Sequence, residues 1–181
     1  MNLIVLVDKN QNLLESKILE DFPTLQPFLQ EKINNSVVVL DEKSCKLKDL
    51  FKHTKKIFFD EKKESVFPDF LSEVDASQEF ASNFKQLFEK INGLEKDNVF
   101  MFGDKFSLAL LPYAKKIYMF RLDNEDGESA FPDLLNSPDF EVIQGGEPYL
   151  YDGEQFHLSI FKNLAVEQYN LYTKRNEFVD K

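Results

Sequence analysis

Short runs of apolar residues, separated by turn formers and charged residues, dominate the pattern of this 181-residue chain. The runs lie at 2–7 (NLIVLV), 36–40 (SVVVL), 56–59 (KIFF), 99–102 (VFMF) and 117–120 (IYMF). Runs of this length, bounded by turn residues, are typical of strands that are covered on both faces, as in a parallel sheet. The pattern therefore predicts an α/β protein with a central, mostly parallel sheet flanked by helices.

Helical spacing of apolar residues appears between these runs. A first helix is predicted to begin at Asp21-Phe22-Pro23, a second covers 44–53, and a short one covers 105–111 and stops at Pro112. The clearest pattern predicts a helix from Asp75 to Ile91. Its apolar stripe consists of Phe80, Phe84, Leu87, Phe88 and Ile91.

The pattern of residues 98–133 predicts that this segment forms the centre of the sheet. A strand at 99–102, a turn at Gly103, a short helix and a strand at 117–120 form a βαβ unit, which favours a parallel pair of strands. Later in the chain, 140–145 and 155–162 alternate around a turn at Asp152-Gly153 and predict a closing antiparallel hairpin. The pattern over 164–181 predicts an added helix or a partly ordered tail.

Composition limits the classes of partner. The chain has 22 basic and 32 acidic residues, a net charge of −10, so nucleic acid and anionic membranes would both repel it. Its single cysteine, Cys45, excludes an internal disulfide, and the two histidines have no ligand spacing, so no metal site is expected. No run approaches the roughly 20 apolar residues that a membrane span needs, so we expect a soluble, cytoplasmic protein.

Several segments resemble dihydrofolate reductases. FMFGDKFSLALLPYAKKIYM at 100–119 resembles the part of that family where a strand ends in a glycine pair, a short helix ends in Leu-Pro and a strand follows. ESAFPD at 128–133 is similar to the family's Asp-Thr-x-Phe-Pro, and DGEQFHLSIFKN at 152–163 to its last strand. The resemblance implies a dihydrofolate-reductase-like domain over 1–163, with 164–181 as a C-terminal extension.

VDKNQNLL at 7–14 resembles the first strand of the family and the flexible loop that follows it beside the nicotinamide. Gln11 and Leu14 stand where the family usually has glycines. Because glycine is the most permissive residue of the backbone, we expect this loop to be stiffer or differently shaped here.

The resemblance also implies where a folate would bind. FPTLQPFLQ at 22–30 is similar to the family's first helix, whose acid favours protonation of the pterin. That acid position falls on Leu25, and its threonine partner falls on Phe120. An apolar pair cannot hydrogen-bond the pterin. Glu20 and Asp21 are nearby carboxylates that are either substitute acids, if the alignment shifts by one turn, or cap and surface residues. The implied substrate contacts are Leu25, Phe28, Leu29, Lys55 (in place of the family's arginine for the glutamate tail) and Phe120.

The implied cofactor, if the protein is active, is NADPH. VVVLDEKS at 37–44 resembles the family's strand followed by Met-Gly-Arg-x-Thr, but Asp41 and Glu42 stand where a glycine and a cation are expected. Phe102 replaces one glycine of the family's pair, and Asp104 adds a negative charge near the phosphate site. The implied cofactor contacts are Lys43, Ser44, Gly103, Asp104 and Lys105.

These substitutions leave four interpretations. The first is a dihydrofolate reductase fold with an eroded site, weak or no folate reduction, and a small-molecule or protein partner. The second is a divergent but working NADPH-dependent enzyme that reduces 7,8-dihydrofolate to tetrahydrofolate in one-carbon metabolism. The third is a relative of the pyrimidine-reductase branch, and the fourth is an α/β domain that shares only the fold. The joint change at Leu25 and Phe120 favours the first.

Overall fold

The computed structural model describes residues 1–23, 25–33, 36–41, 43–44, 50–51, 54–59, 79–92, 94, 98–103, 106–151 and 154–166. In these ranges the strands are β1 (Asn2–Val7), β2 (Asn12–Leu13), β3 (Val37–Leu40), β4 (Lys55–Phe59), β5 (Glu79–Ala81), β6 (Val99–Phe102), β7 (Lys116–Leu122), β8 (Ser129–Ala130), β9 (Phe140–Tyr151) and β10 (Glu154–Asn163). The helices are α1 (Leu25–Lys32), α2 (Phe84–Asn92) and α3 (Phe106–Ala109), with 3-10 helices at Ser16–Asp21 and Leu111–Tyr113.

The strands form one mixed sheet in the order β5-β4-β3-β6-β1-β7-β10-β9. The first six strands of this order run parallel, and β10 runs antiparallel to both β7 and β9. The short strand β2 pairs with the end of β1 and with β8. The predicted α/β class, with a mostly parallel sheet and a closing antiparallel hairpin, is confirmed.

The predicted βαβ unit is wrong in one respect. Strands β6 and β7 do not pair with each other, because β1 lies between them and runs parallel to both. Every residue of β1 is buried, as its continuous apolar run predicts. The centre of the sheet is therefore β1 rather than a direct β6–β7 pair.

Alternate residues of the strands enter two hydrophobic clusters, one on each face of the sheet. We name these the α1 face and the α2 face, after a helix that packs on each. Buried residues of the α1 face include Ile4, Leu6, Leu25, Leu29, Phe100, Phe102, Phe120, Phe156 and Leu158. Buried residues of the α2 face include Leu3, Val5, Val7, Leu87, Ile91, Met101, Phe106, Ile117 and Phe161.

The first helix begins later than predicted. The 3-10 helix ends where the N–H of Phe22 donates to the carbonyl oxygen of Leu19 at 3.2 Å, and α1 begins at Leu25. Pro23 thus lies in the connection between the two helices. The buried face of α1 is as predicted, because Leu25 and Leu29 are both fully buried.

The predicted helix over 75–91 is wrong in its first part. Residues 75–78 lie outside the described ranges, and Phe80 belongs to β5, which pairs with β4. Phe80 stacks on Phe58 of the α1 face with 5.5 Å between ring centroids, whereas Phe84 packs on the α2 face. The aromatic stripe therefore joins residues from opposite faces of the sheet, and only its last part is helical.

Side chains just before α2 determine where that helix begins. Asn83 Oδ1 accepts a hydrogen bond from the N–H of Gln86 at 2.8 Å, the contact of an N-cap residue. Gln86 Oε1 in turn accepts from the N–H of Ser82 at 2.9 Å. The first contact satisfies a backbone donor that a helix start leaves without a partner, and the second joins the residue before the cap to the first turn of the helix.

Other predictions extend beyond the described ranges. Cys45, most of the predicted helix over 44–53 and residues 167–181 lie outside them. The predicted helix over 105–111 is shorter, because α3 ends at Ala109 and a 3-10 turn through Pro112 follows. Among the residues that are described, we find no helix with the length and apolar character needed to cross a membrane.

Candidate functional site

The neighbouring strands β3, β6 and β1 run parallel, so their carboxyl ends meet at one edge of the sheet. Asp41 follows β3 at this edge, and its side chain folds back onto the chain. Asp41 Oδ1 accepts hydrogen bonds from the N–H groups of Lys43 at 3.1 Å and Ser44 at 2.9 Å. Because these two residues lie only two and three positions after Asp41 in the chain, this side chain satisfies donors of its own turn.

The hydroxyl of Ser44 joins this turn to the end of β6. It accepts a hydrogen bond from the N–H of Asp41 at 2.8 Å. It also lies 2.9 Å from Asp41 Oδ1 and 2.7 Å from the carbonyl oxygen of Phe102, and it donates to one of these at a time. Both Asp41 and Ser44 are buried, so these contacts are shielded from water.

The same carboxylate lies against Gly103, the residue that follows β6. A β-carbon on Gly103 would stand 2.6 Å from Asp41 Cγ, 2.6 Å from Oδ2 and 2.9 Å from Oδ1. Contacts under 3.0 Å are not tolerated by real β-carbons. A side chain at position 103 would therefore require a shift of the Asp41 carboxylate, which occupies the space beside Gly103.

An ion pair crosses from the segment after β2 to the turn after β3. Lys43 Nζ lies 3.0 Å from Glu15 Oε1, and Lys17 Nζ lies 3.0 Å from Glu15 Oε2. Hydrogen bonds from Lys43 and then Lys17 lower the pKa of the Glu15 carboxyl. Lys43, a predicted anion contact, is thus engaged by an acid of the same chain.

The predicted substrate positions lie in an apolar environment on the α1 face. Leu25, at the start of α1, and Phe120, on β7, are both buried members of that cluster. Leu29, one turn further along α1, is also fully buried. None of these three side chains carries a hydrogen-bonding group, and all three belong to one hydrophobic cluster.

Phe28 connects α1 to the aromatic rings of the closing hairpin. Its ring centroid lies 5.9 Å from that of Phe120, 5.4 Å from Phe156 and 5.1 Å from Tyr149. Tyr149 stacks on Phe156 at 5.2 Å with an angle of 12° between the rings. Edge and stacked contacts at these distances are favourable packing geometries for aromatic side chains. The rings therefore pack on one another at this place.

Asp8, directly after β1, holds the loop between β1 and β2. The carboxylate is fully buried, and Oδ1 accepts from the N–H groups of Asn10 and Asn12, both at 2.9 Å. Oδ2 accepts from the N–H of Gly127 at 3.0 Å. Every observed hydrogen bond of this carboxylate comes from a backbone N–H group of one of two loops. The role of Asp8 is therefore structural.

Comparisons with known proteins give a likeness in structure alone. No protein-family model matches the chain, and no curated protein sequence matches it. The fold is similar to Schistosoma mansoni dihydrofolate reductase, with a TM-score of 0.65, 13% identity, and coverage of 90% of this chain and 97% of that one. This chain has the dihydrofolate reductase fold.

A second dihydrofolate reductase, from Enterococcus faecalis and complexed with NADP(H) and RAB-propyl, gives a TM-score of 0.59. Its identity is 13%, with coverage of 90% of this chain and 95% of that chain. The predicted resemblance to this family is thereby confirmed at the level of the fold.

The remaining predicted site residues are spread over the fold. Glu20 is exposed on the 3-10 helix, and Asp21 is the last residue of that helix. Lys55 is exposed at the amino end of β4, so it lies at the strand end opposite to Asp41 and Gly103. Asp104 and Lys105 lie outside the described ranges.

Two residues of this region were missed by the sequence patterns. Glu15 lies 28 positions from Lys43 in the chain, and no motif links the two. The position of Asp8 after a strand and before turn formers predicts a local turn, but it does not predict the contact with Gly127, which is 119 positions away. Both contacts depend on how the loops are brought together.

Proposed function

We propose that this protein is a dihydrofolate-reductase-fold protein that does not reduce dihydrofolate and instead binds a different small molecule or a protein partner. The observation that carries the proposal is the position of the Asp41 carboxylate against Gly103. It lies where the resemblance implies the phosphates of a nicotinamide cofactor. Two negatively charged groups in one small space repel each other strongly.

The donors near Asp41 support the same proposal. Helix and turn N–H groups bind phosphates when they are free to point at them. Here the N–H groups of Lys43 and Ser44 donate to Asp41, and the Lys43 ammonium is paired with Glu15. We propose that these residues, as arranged, do not fit the phosphates of NADPH, so no hydride-transfer step is assigned to this chain.

The residues at the implied substrate site support the proposal independently. Reduction of dihydrofolate requires a group that favours protonation of the pterin. Leu25 and Phe120 provide no hydrogen-bonding side chain, and the ring of Phe28 packs against Phe120 and against rings of the closing hairpin. A pterin placed here would lose hydrogen bonds to water without gaining any from these three side chains.

A working reductase is the alternative, and the likeness to an enzyme complexed with NADP(H) favours it. In that case Glu20 or Asp21 is the proton-donating acid. Lys43, Ser44, Gly103, Asp104 and Lys105 then hold NADPH. This alternative requires Asp41 to leave Gly103 and Lys43 to leave Glu15 when the cofactor binds.

Thermal unfolding with and without NADPH distinguishes the proposal from the alternative of a working reductase. A cofactor at about 100 times its Kd stabilises a protein by roughly 2.7 kcal/mol, which raises the Tm by several degrees. We expect no saturable change in Tm with NADPH and no oxidation of NADPH when dihydrofolate is added. The Enterococcus faecalis dihydrofolate reductase, treated in parallel, provides the positive control.

A saturable rise in Tm together with dihydrofolate-dependent oxidation of NADPH would overturn the proposal. In that event Glu20→Gln and Asp21→Asn identify the acid, because the essential one loses turnover while the cofactor-dependent change in Tm remains. A rise in Tm without turnover would indicate a nucleotide-binding protein and would contradict the argument from Asp41.

A further inference from the structure

Helix α2 ends at Asn92, and the next residue in the sequence is Gly93. This is the one Asn-Gly pair of the whole sequence. The backbone nitrogen that follows an asparagine is a nucleophile within reach of the asparagine side-chain amide. Its attack is fastest when the following residue is glycine, because glycine has no β-carbon to restrict the backbone.

The surroundings of Asn92 leave its side chain accessible. Asn92 is exposed and lies in the last turn of its helix. Among the residues that the structure describes, none hydrogen-bonds its side-chain amide. The N–H of Leu94 donates to the carbonyl oxygen of Ile91 at 2.9 Å, so a tight turn closes directly around Asn92. Because helix ends fray, the amide and the following nitrogen meet without loss of the buried part of α2.

Two comparable pairs in the described part of the chain are restrained by acids. In the Asp-Gly pair at 126–127, the glycine N–H donates to Asp8 Oδ2 at 3.0 Å, which engages the attacking nitrogen. In the Asn-Ser pair at 136–137, the asparagine amide donates to Asp133 Oδ2. The side chain of Asn92 has no such restraint from a described residue.

We propose that Asn92 is a site of spontaneous deamidation in the folded protein. The backbone nitrogen of Gly93 attacks Asn92 Cγ, the bond from Cγ to Nδ2 breaks, and ammonia leaves with the proton of the attacking nitrogen. The product is a five-membered succinimide. Water then opens the ring, and cleavage of the bond from this nitrogen to Cγ gives aspartate, whereas cleavage of its bond to the main-chain carbonyl carbon gives isoaspartate.

Both products place a carboxylate at the carboxyl end of α2, where a neutral amide stood. Negative charge is unfavourable there, because the last carbonyl groups of a helix carry the negative end of its dipole. Isoaspartate also adds one atom to the backbone between Ile91 and Leu94, so it disturbs the hydrogen bond that joins them. Both of these residues pack on the α2 face. We therefore expect the modified protein to unfold at a lower temperature.

The test follows the full chain during incubation at one temperature, at mildly acidic and at mildly alkaline pH. Anion-exchange chromatography separates forms with an added negative charge, and peptide mapping by mass spectrometry locates the change. We expect the wild type to accumulate a more acidic form that maps to Asn92. It forms faster at alkaline pH, because the attacking nitrogen must lose its proton. Synthetic aspartate and isoaspartate peptides identify the two products.

Three variants assign the cause. Asn92→Gln is expected to abolish the acidic form, because glutamine would have to close a six-membered ring, which forms much more slowly. Asn136→Gln is the matched control and is expected to leave the rate unchanged. Asn92→Asp carries the new charge without the longer backbone, so its Tm is expected between that of the wild type and that of the isoaspartate form. Unfolding curves of all three establish that they fold.

Wild-type protein unfolded in guanidinium chloride, incubated in parallel, measures the chemistry of the sequence without the fold. The proposal is overturned if only this unfolded chain is modified, since the helix would then protect Asn92. It is also overturned if Asn92→Gln forms the acidic species at the wild-type rate, or if Asn136→Gln removes it.

Discussion

The carboxylate of Asp41 lies against the α-carbon of Gly103, so that a β-carbon at position 103 would stand 2.6 Å from Asp41 Cγ. We therefore predict that Gly103→Ala destabilises the protein. Overpacking of a buried site typically costs about 1–3 kcal/mol, and we expect a loss in that range. Urea unfolding monitored by circular dichroism measures it.

A double-mutant cycle with Asp41→Ala tests whether the clash with the carboxylate is the cause. In the Asp41→Ala background the carboxylate is absent, so Gly103→Ala is expected to cost less than in the wild type. Equal costs in the two backgrounds would contradict the close contact between residues 41 and 103.

The apolar environment of Leu25 predicts a pH-dependent difference between two variants. Leu25→Ala is expected to destabilise by about 2–5 kcal/mol, because it leaves a cavity. Leu25→Asp is expected to destabilise further at neutral pH, since burial penalises the charged carboxylate and raises the pKa of the new side chain.

The pH dependence of the Leu25 variants has a definite sign. A carboxyl with a raised pKa in the folded state binds more protons folded than unfolded in the pH range between its two pKa values. The stability of Leu25→Asp relative to Leu25→Ala therefore increases as pH falls, and denaturant unfolding at several pH values measures this. A difference that does not change with pH would mean that position 25 is open to water.

Gln11 adopts a positive φ of 63°, a backbone conformation that favours glycine. A residue with a β-carbon is strained in this conformation, and glycine is not. We predict that Gln11→Gly is more stable than Gln11→Ala by about 0.5–1 kcal/mol. Both variants lose the hydrogen bond from Gln11 Nε2 to the carbonyl oxygen of Pro132, so the difference in their unfolding free energies isolates the backbone effect.

The ion pair between Glu15 and Lys43 predicts a shifted titration. The pKa of Glu15 is lowered by its hydrogen bonds from Lys43 and Lys17, so its NMR titration midpoint is expected below the ordinary value of about 4.3. Lys43→Met is expected to move the midpoint back towards that value, and Lys9→Met, at an exposed pair with Glu125, is the matched control.

The sign of the Glu15 effect on stability follows from the direction of the shift. Because the folded pKa is lower than the unfolded one, the stabilisation is present above the unfolded pKa and is lost as pH falls through the folded pKa. The pair is exposed, so the effect on unfolding is small. A midpoint of Glu15 that Lys43→Met leaves unchanged would show that the pair does not persist in solution.

Much of the fold was predictable because buried strands have a recognisable local pattern of apolar residues. The run from Asn2 to Val7 predicts a strand that is covered on both faces, and each of its residues is buried. The alternation of 140–145 and 155–162 predicts the closing hairpin, which is present as β9 and β10. In both cases the period of the side chains matches the period of a strand.

The stripe from Phe80 to Ile91 shows where local periodicity fails. Phe80 and Phe84 are four residues apart, as on one helix face, but Phe80 pairs into the sheet next to β4 and packs on Phe58. The N-cap contact of Asn83 starts the helix after the stripe has begun. A tertiary pairing and a side-chain cap therefore overrode the spacing, and neither is visible in hydrophobicity alone.

The amino-acid sequence by itself determined which segments are buried. It also showed that Leu25 and Phe120 remove hydrogen-bonding groups from the implied site and that Asp41 adds an acid to it, because the chemistry of a side chain is a local property. The tertiary structure decided what fills that site. The contacts between Asp41 and Gly103 and between Glu15 and Lys43 join residues far apart in the chain. Such contacts depend on the order of the strands and the positions of the loops between them, which place distant residues at the same edge of the sheet.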